Sequence, residues 1–255
     1  IVLLKNFRRC FMAKTVLITG ASRGIGREMA RQFAYASYNV VINYNTSESS
    51  ALELIEELKQ AGYKAIAVKA DVSNGCEVQK MVETAKELYG AIDVLINNAA
   101  IAQQKLFTDI TEEEWDSIFA VNVKGVYNCC KAVVPHMVSQ KDGVILNISS
   151  VWGMVGASCE VHYSATKAAV IGFSKALAKE LGLSGIRVNC IAPGVIDTDM
   201  NAGLSPDTLA QLKGETPLAR IGTSKDIAAL ALFLASSEAS FITGQVISSN
   251  GGFVI

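Results

Sequence analysis

From residue 14 onward the chain alternates between two kinds of hydrophobic pattern. Short runs rich in β-branched residues recur at 15–19, 40–43, 65–69, 94–97, 143–148, 187–191 and 245–248. Most are continuously apolar, as a strand reads when helices cover both faces of a parallel sheet. Between them lie stretches of helical period at 24–36, 48–61, 74–89, 111–138, 162–182 and 224–235. In the second of these, Leu52, Ile55 and Leu58 share one face, and Glu53, Glu56, Glu57 and Lys59 lie mostly on the other. Gly62 then acts as a helix stop. The run Thr111-Glu112-Glu113-Glu114 ahead of Trp115, Ile118 and Phe119 reads as a capping box. The alternation predicts an α/β protein with a doubly wound parallel sheet of seven strands and helices on both faces. No linker-like segment interrupts it, so residues 12–255 are read as a single domain.

Composition narrows the class. The chain has 255 residues, of which 50% are hydrophobic and 18% charged, which excludes a disordered or fibrous protein. Lys plus Arg is 23 against 24 for Asp plus Glu, a net charge of −1 that gives no pull toward nucleic acid or an anionic membrane. Charges and glycines interrupt every apolar stretch before the roughly 18 residues of a spanning helix. The six cysteines form no CxxC pair and the only histidines are His136 and His162, so no metal site is expected. Reduced, mostly buried thiols in a cytoplasmic protein are the reading, with Cys129 and Cys130 as packing residues. Residues 1–11 do not fit the pattern. Their apolar start precedes Lys5, Arg8 and Arg9, the reverse of a signal peptide, and Met12-Ala13-Lys14 looks like a natural start. A disordered extension is expected over 1–11.

The chemistry begins where the first strand turns into the first helix, at Thr19-Gly20-Ala21-Ser22-Arg23-Gly24-Ile25-Gly26. Glycines at 20, 24 and 26 allow a tight turn and a close approach to a pyrophosphate, with the helix N-terminus behind them. Strand before and helix after are the context that makes such a loop a Rossmann-like dinucleotide site. The end of the second strand reads Asn43-Tyr44-Asn45-Thr46-Ser47, with no acid to grip the ribose 2′-OH of NAD. Arg23 offers a planar cation to a 2′-phosphate instead, so NADP(H) is preferred over NAD(H).

With these residues in hand, the chain from Lys14 to Phe253 resembles a short-chain dehydrogenase/reductase. The resemblance rests on Thr19 to Gly26, Asp71-Val72, Asn97-Asn98-Ala99-Ala100, Asn122, Ser150, Tyr163-x-x-x-Lys167 and Pro193-Gly194. Ala100 departs from it, since the family has Gly there. The resemblance implies a catalytic set of Asn122, Ser150, Tyr163 and Lys167. It also implies cofactor contacts from Gly20, Ser22, Arg23, Gly24, Ile25, Gly26, Asn43, Asn45, Asp71, Val72, Asn98, Ala99, Ala100, Tyr163, Lys167, Pro193, Gly194, Ile196 and Thr198. The substrate is expected to meet Ser150, Trp152, Glu160 and Tyr163.

These residue types suit the reduction of a ketone, which needs a hydride and a proton. Tyr163 is the expected donor, and Lys167, one helical turn on, is expected to lower its pKa. Ser150 would bond the substrate oxygen, and Asn122 would hold a water that links Lys167 to solvent. His162 points elsewhere on its helix and is read as a packing or rim residue. The segment 199–216, rich in small residues such as Gly203, Ser205 and Gly214, reads as a lid.

Several substrates remain open. The stretches around Ala192-Pro193-Gly194 and Ile242-Thr243-Gly244-Gln245 resemble 3-oxoacyl-acyl-carrier-protein reductases of fatty acid synthesis. An acidic carrier would need basic residues at the rim, for which Lys141 is the candidate, while Ser184 stands where those reductases often carry arginine. The segment from Val151 to His162 is similar to reductases of an aminopentanone modification on elongation factor P, and Glu160 could pair with such an amine. A sugar or polyol dehydrogenase and a non-catalytic NADPH sensor are further alternatives. The family resemblance implies a homotetramer built on the helices 111–138 and 162–182. Val126, Val133, Met137, Ala169, Phe173 and Ala176 are expected on their outward faces.

Overall fold

The computed structural model describes residues 13–201 and 205–255. The expectations for the 1–11 extension, Met12, Cys10 and Gly203 therefore lie outside the described residues. Seven strands form one sheet: β1 (Thr15–Ile18), β2 (Asn39–Tyr44), β3 (Ala65–Lys69), β4 (Val94–Asn97), β5 (Gly143–Ile148), β6 (Ile186–Pro193) and β9 (Val246–Ser249). Their order is β3-β2-β1-β4-β5-β6-β9, and every neighbouring pair is parallel. This is the doubly wound sheet that the sequence pattern predicts. The order reverses between β1 and β4, and a crevice opens there at the carboxyl ends of the strands.

Alternate strand residues enter two separate cores. Val16, Ile18, Val40 and Ile42 pack under helices α1 (Gly24–Tyr35) and α2 (Glu48–Gln60) through Phe33 and Leu54. Leu17, Val41 and Leu95 face α3 (Gly75–Tyr89) through Met81 and Val82. The α2 stop has the expected glycine: Tyr63 donates to Leu58 O and Gly62, at φ +83°, to Lys59 O, which closes a Schellman motif.

The stretch expected to be one helix over 111–138 is three pieces. The Thr111 capping box starts α4 (Glu112–Phe119), and a π-helical turn over Ala120–Lys124 leads into α5 (Gly125–Gln140). The turn buries Asn122 at 1% exposure, as π-bulges do at functional positions. After β5 come a short helix α6 (Trp152–Val155) and α7 (Val161–Leu181), the second longer helix beside the site. Beyond β6 a two-stranded parallel ladder, β7 (Ile196–Asp197) with β8 (Gly222–Thr223), brackets α8 (Pro206–Glu215). The segment read as a lid thus contains a helix, with Ser205 capping Thr208 N. Helix α9 (Ser224–Ala235) completes the first core through Leu234.

One expectation about outward faces is corrected here. Val126, Val133 and Met137 lie in the chain's own core, and Phe173 packs against it. The large apolar side chains that α5 exposes are Tyr127 and Val138. The cause is helical phase: the face toward α3 and the sheet takes the positions read as outward.

A buried polar ladder ties the central strands. Asn97 donates to Asn147 Oδ1 at 2.8 Å, directly across the β4–β5 register, and Asn147 donates to Ser174 Oγ on α7 at 2.8 Å. Truncating the middle member strands its partners in the core. Asn147→Ala should cost about 2–3 kcal/mol, read as a lower urea midpoint at unchanged slope.

Candidate active site

A cleft of about 570 Å³ runs across the carboxyl ends of β1, β2 and β4. Gly20, Ser22, Arg23, Gly24, Ile25, Gly26, Asn43, Asn45, Asp71, Val72, Asn98, Ala99, Ala100 and Thr198 line it, while Tyr163, Lys167, Pro193, Gly194 and Ile196 of the sequence-based cofactor set do not. The loop between β1 and α1 is backbone-tight. A Cβ on Gly20 (φ +61°) would sit 2.8 Å from Ala99 Cα, and one on Gly26 would sit 2.5 Å from Gly20 O. Asn98 holds the loop from β4: its Nδ2 donates to Thr19 O at 2.9 Å and Gly20 O at 3.0 Å. Thr19 Oγ1 in turn accepts from Asn98 N and Ala99 N. The side-chain amide nitrogen of Asn98 is thus spent on shaping the loop.

Helix α1 begins with no side-chain cap; Arg23, its N-cap residue, is extended and exposed. The first-turn N–H groups therefore face the cleft, an arrangement that fits the pyrophosphate of a nicotinamide dinucleotide. At the end of β2, Asn43 Oδ1 accepts from Gly20 N and its Nδ2 donates to Ala70 O at 2.9 Å. Asn43 is a strut between β2, β3 and the loop, and exposed Asn45 and Thr46 present polar groups to the cleft in place of an acid. Asp71 caps its own turn through Ser73, and Val72 packs against α5 with its carbonyl bonded by Asn128 Nδ2.

The second half of the site forms where β5 ends. Lys167 is 3% exposed, and its Nζ donates to Ile148 O at 2.9 Å. Ser149 Oγ donates to Lys167 O at 2.8 Å, binding the strand end to α7. Tyr163 stands one turn before, 7% exposed, with Lys167 Nζ 5.5 Å from its ring centroid. Burial pushes the Tyr163 phenol well above the ordinary tyrosine value; Glu160 adds to this, and the Ser150 hydroxyl opposes it. Burial also lowers Lys167 to about 8. The lowering of the Tyr163 pKa by Lys167 expected from the sequence is not the direction seen here: the ammonium bonds the strand carbonyl, and burial sets the direction of the phenol shift. Asn122 Nδ2 donates to Ile101 O and to Thr166 Oγ1, and its Oδ1 accepts from Ile101 N, so its side chain ties the post-β4 segment to the residue before Lys167.

Trp152 packs edge-on against Phe253 at 5.7 Å, and Glu160, half-buried, accepts from Gln104 at 3.1 Å. Pro193 ends β6, and Gly194 donates to Ser249 O. Ile196 is buried and lines a separate small hollow of about 80 Å³ beside the β7–β8 ladder. The sequence reading missed Ser149 and Gly153. Ser149 was visible only as half of a serine pair. Gly153 gave no signal, yet a Cβ there would meet the Lys167 backbone at 2.7 Å.

Lys141 does not reach this site. It sits in left-handed conformation at the end of α5, two residues before β5 starts, and its carbonyl lies against Gly185, just ahead of β6. Lys141 and Ser184 are thus at the amino ends of the strands. The six residues of β5 put roughly 20 Å between that edge and Ser150.

A family model described as enoyl-(acyl carrier protein) reductase matches residues 20–254. The 3-oxoacyl-[acyl-carrier-protein] reductase FabG of Staphylococcus epidermidis is 45% identical over 241 residues, covering 94% of this chain and 99% of that protein. Its counterpart from Staphylococcus aureus is 45% identical over 241 residues, with coverage of 94% and 98%. That of Chlamydia muridarum is 45% identical over 242 residues, with coverage of 94% and 96%.

The buried ammonium carries a stability cost with a defined pH window. Since its folded pKa is about 8 against an ordinary 10.5, the unfolded chain holds this proton more tightly. The full cost, about 3 kcal/mol, is present below pH 8, and stability recovers as pH rises from there toward 10.5. Lys167→Met should therefore raise the thermal midpoint at pH 7, with the gain shrinking by pH 10. A midpoint lowered equally at both pH values would show that the carbonyl bond, not desolvation, dominates.

Proposed function

The chain belongs to the short-chain dehydrogenase/reductase family, and we propose that it reduces a 3-oxoacyl thioester, carried on an acyl carrier protein, to the 3-hydroxyacyl form with NADPH. As a family member it is an oxidoreductase that uses a nicotinamide cofactor. The observation that carries the substrate reading is the 45% identity, over 94% of the chain, to proteins named 3-oxoacyl-[acyl-carrier-protein] reductase. The family model's description names an enoyl reductase instead. The carbonyl reading is preferred because Ser150 and Tyr163 bring two hydroxyls together, which suits an oxygen that becomes an alkoxide.

The nicotinamide, when bound, supplies the hydride. Tyr163 gives the proton to the developing alkoxide, and Ser150 orients the carbonyl oxygen. Lys167 holds positive charge one turn from the phenol and favours the phenolate once the proton has left. Asn122 fixes the segment beside Thr166, where a water can return a proton to Lys167. Arg23, together with Asn45 and Thr46 across the cleft, offers donors to a 2′-phosphate, which favours NADP(H) over NAD(H). Met154, Val155 and Val161, which follow Ser150 in the chain, and Leu106 and Phe107, next to the Lys105–Cys159 bond, are exposed apolar side chains that an acyl chain would cover.

A second reading has one observation in its favour. Glu160 is the half-buried N-cap residue of α7, three residues before Tyr163. A cationic ketone, such as an aminopentanone on a protein, would find a partner there. The chain is also proposed to form a homotetramer through α5 and α7, with Tyr127 and Val138 as the exposed apolar positions of α5.

A panel of acetoacetyl thioester, aminopentanone-modified protein and sugars, followed by NADPH absorbance, decides among these substrates. Turnover should be greatest on the thioester, and Tyr163→Phe should lose nearly all of it while still binding NADPH. Glu160→Gln should leave the thioester rate within about twofold; a loss of tenfold or more confined to the cationic ketone would move the assignment to the second reading.

For the cofactor, Arg23→Ala should weaken NADPH by roughly 1.5–3 kcal/mol while sparing NADH. Equal dissociation constants for the two cofactors in the parent protein would sink the NADP assignment.

A further inference from the structure

Tyr163 is the third residue of α7, and the start of that helix has little local support. Its N-cap residue, Glu160, makes no side-chain cap bond, and Cys159 before it holds a positive φ of 62° that a side chain rarely adopts. Ala157 N donates to Ser164 Oγ at 3.2 Å, and the other ties on the first turn come from the segment that follows β4. Lys105 N donates to Cys159 O at 2.7 Å, and Gln104 Nε2 donates to Glu160 Oε1 at 3.1 Å. Between them Gln103 joins His162, the residue directly before Tyr163, to Glu114 on α4.

The chemistry of this joint has one direction. Glu114 accepts from Lys105 Nζ at 2.8 Å, from Thr111 N at 2.9 Å and from Gln103 Nε2 at 2.8 Å. Those donors hold its carboxyl at about 2, so Gln103 always faces an anion with its NH₂ group. Its carbonyl oxygen must then point to His162 Nε2, 3.2 Å away, and that nitrogen carries the proton. His162 is fully buried, and its Nδ1 has no partner among the described residues. Among the described residues, the Gln103 contact is thus the one polar fix on this ring.

We propose that Gln103 is a positioning residue for Tyr163: its amide relays the fixed Glu114 carboxylate to His162 and so sets where the first turn of α7 places the phenol relative to Ser150. The inference rests on Tyr163 being the proton donor. The carbonyl end requires a donor from His162 and the amide end requires an acceptor from Glu114, so Leu cannot replace Gln103 and Glu can do so only when its carboxyl is protonated.

The test uses the full chain with acetoacetyl thioester and NADPH. Gln103→Leu should lower kcat at least tenfold, with NADPH affinity by fluorescence and the substrate KM both within twofold of the parent. The deuterium isotope effect from the labelled hydride should rise as chemistry becomes limiting. Gln103→Glu should be impaired most at high pH, where two carboxylates oppose each other, and should approach the parent kcat as pH falls, because a protonated carboxyl donates to Glu114 and accepts from His162. Circular dichroism and thermal midpoints establish that both variants are folded. A folded Gln103→Leu with kcat within twofold of the parent overturns the proposal, as does a Gln103→Glu whose kcat keeps a constant ratio to the parent across pH. Tyr163→Phe separates the two claims: if it retains turnover, the donor assignment has failed, whatever Gln103 does.

Discussion

The structure is organised around a buried ammonium with one backbone acceptor. Lys167 Nζ has only the carbonyl of Ile148 within hydrogen-bond reach among the described residues, and desolvation works against its charge. Holding it there takes the end of β5, because that strand terminates with a free carbonyl pointing into the site. It takes Ser149, which returns a bond to the Lys167 carbonyl, and it takes Gly153, where any side chain would collide with α7. The Asn97–Asn147–Ser174 ladder then fixes β4, β5 and α7 in one register below that point. The same register sets Asn98, one residue past Asn97, against the phosphate loop. The Lys167 side of the site and the glycine loop are thereby keyed to the same two strands.

Most of this architecture was legible in the sequence, and for a physical reason. Strands covered on both faces read as apolar runs of limited length, and glycine or capping residues mark where the intervening helices start and stop. Thr111 and Gly62 did so with the predicted geometry. Periodicity could not show the π-helical turn at Ala120–Lys124, because the apolar positions on either side of it read as one continuous helical stretch. Nor could it show α8, whose residues are mostly exposed and carry no consistent apolar stripe. The helix faces of α5 were misassigned because both sides of that helix are apolar, and only the packed sheet decides which side is inner.

The candidate site divides along the same line. A glycine loop is readable because backbone proximity leaves no substitute residue, and a Tyr-x-x-x-Lys spacing is readable because one helical turn brings both side chains to one face. Asn43 shows a subtler limit. It was noticed for replacing an acid, but its side chain is consumed by Gly20 N and Ala70 O, so it works on the loop. Lys141 failed because charge alone says nothing about which end of a strand a residue occupies. Gln103 escaped notice because its meaning depends on two partners far along the chain, Glu114 on one side and His162 on the other.

The protonation pattern also bears on which way such a site works best. Burial moves Tyr163 up and Lys167 down, and both shifts favour the neutral form. They do so unequally around neutral pH. The phenol keeps its proton throughout that range, while the lysine, at about 8, keeps most of its charge. The resting pair is therefore a phenol beside an ammonium, with a donor already loaded and a cation ready to receive the phenolate that proton transfer leaves behind. Forming the phenolate before any substrate arrives would set two buried charges side by side, with both desolvation penalties opposing their attraction. The proposed carbonyl reduction starts from the state this environment favours, and the reverse oxidation starts from the state it penalises.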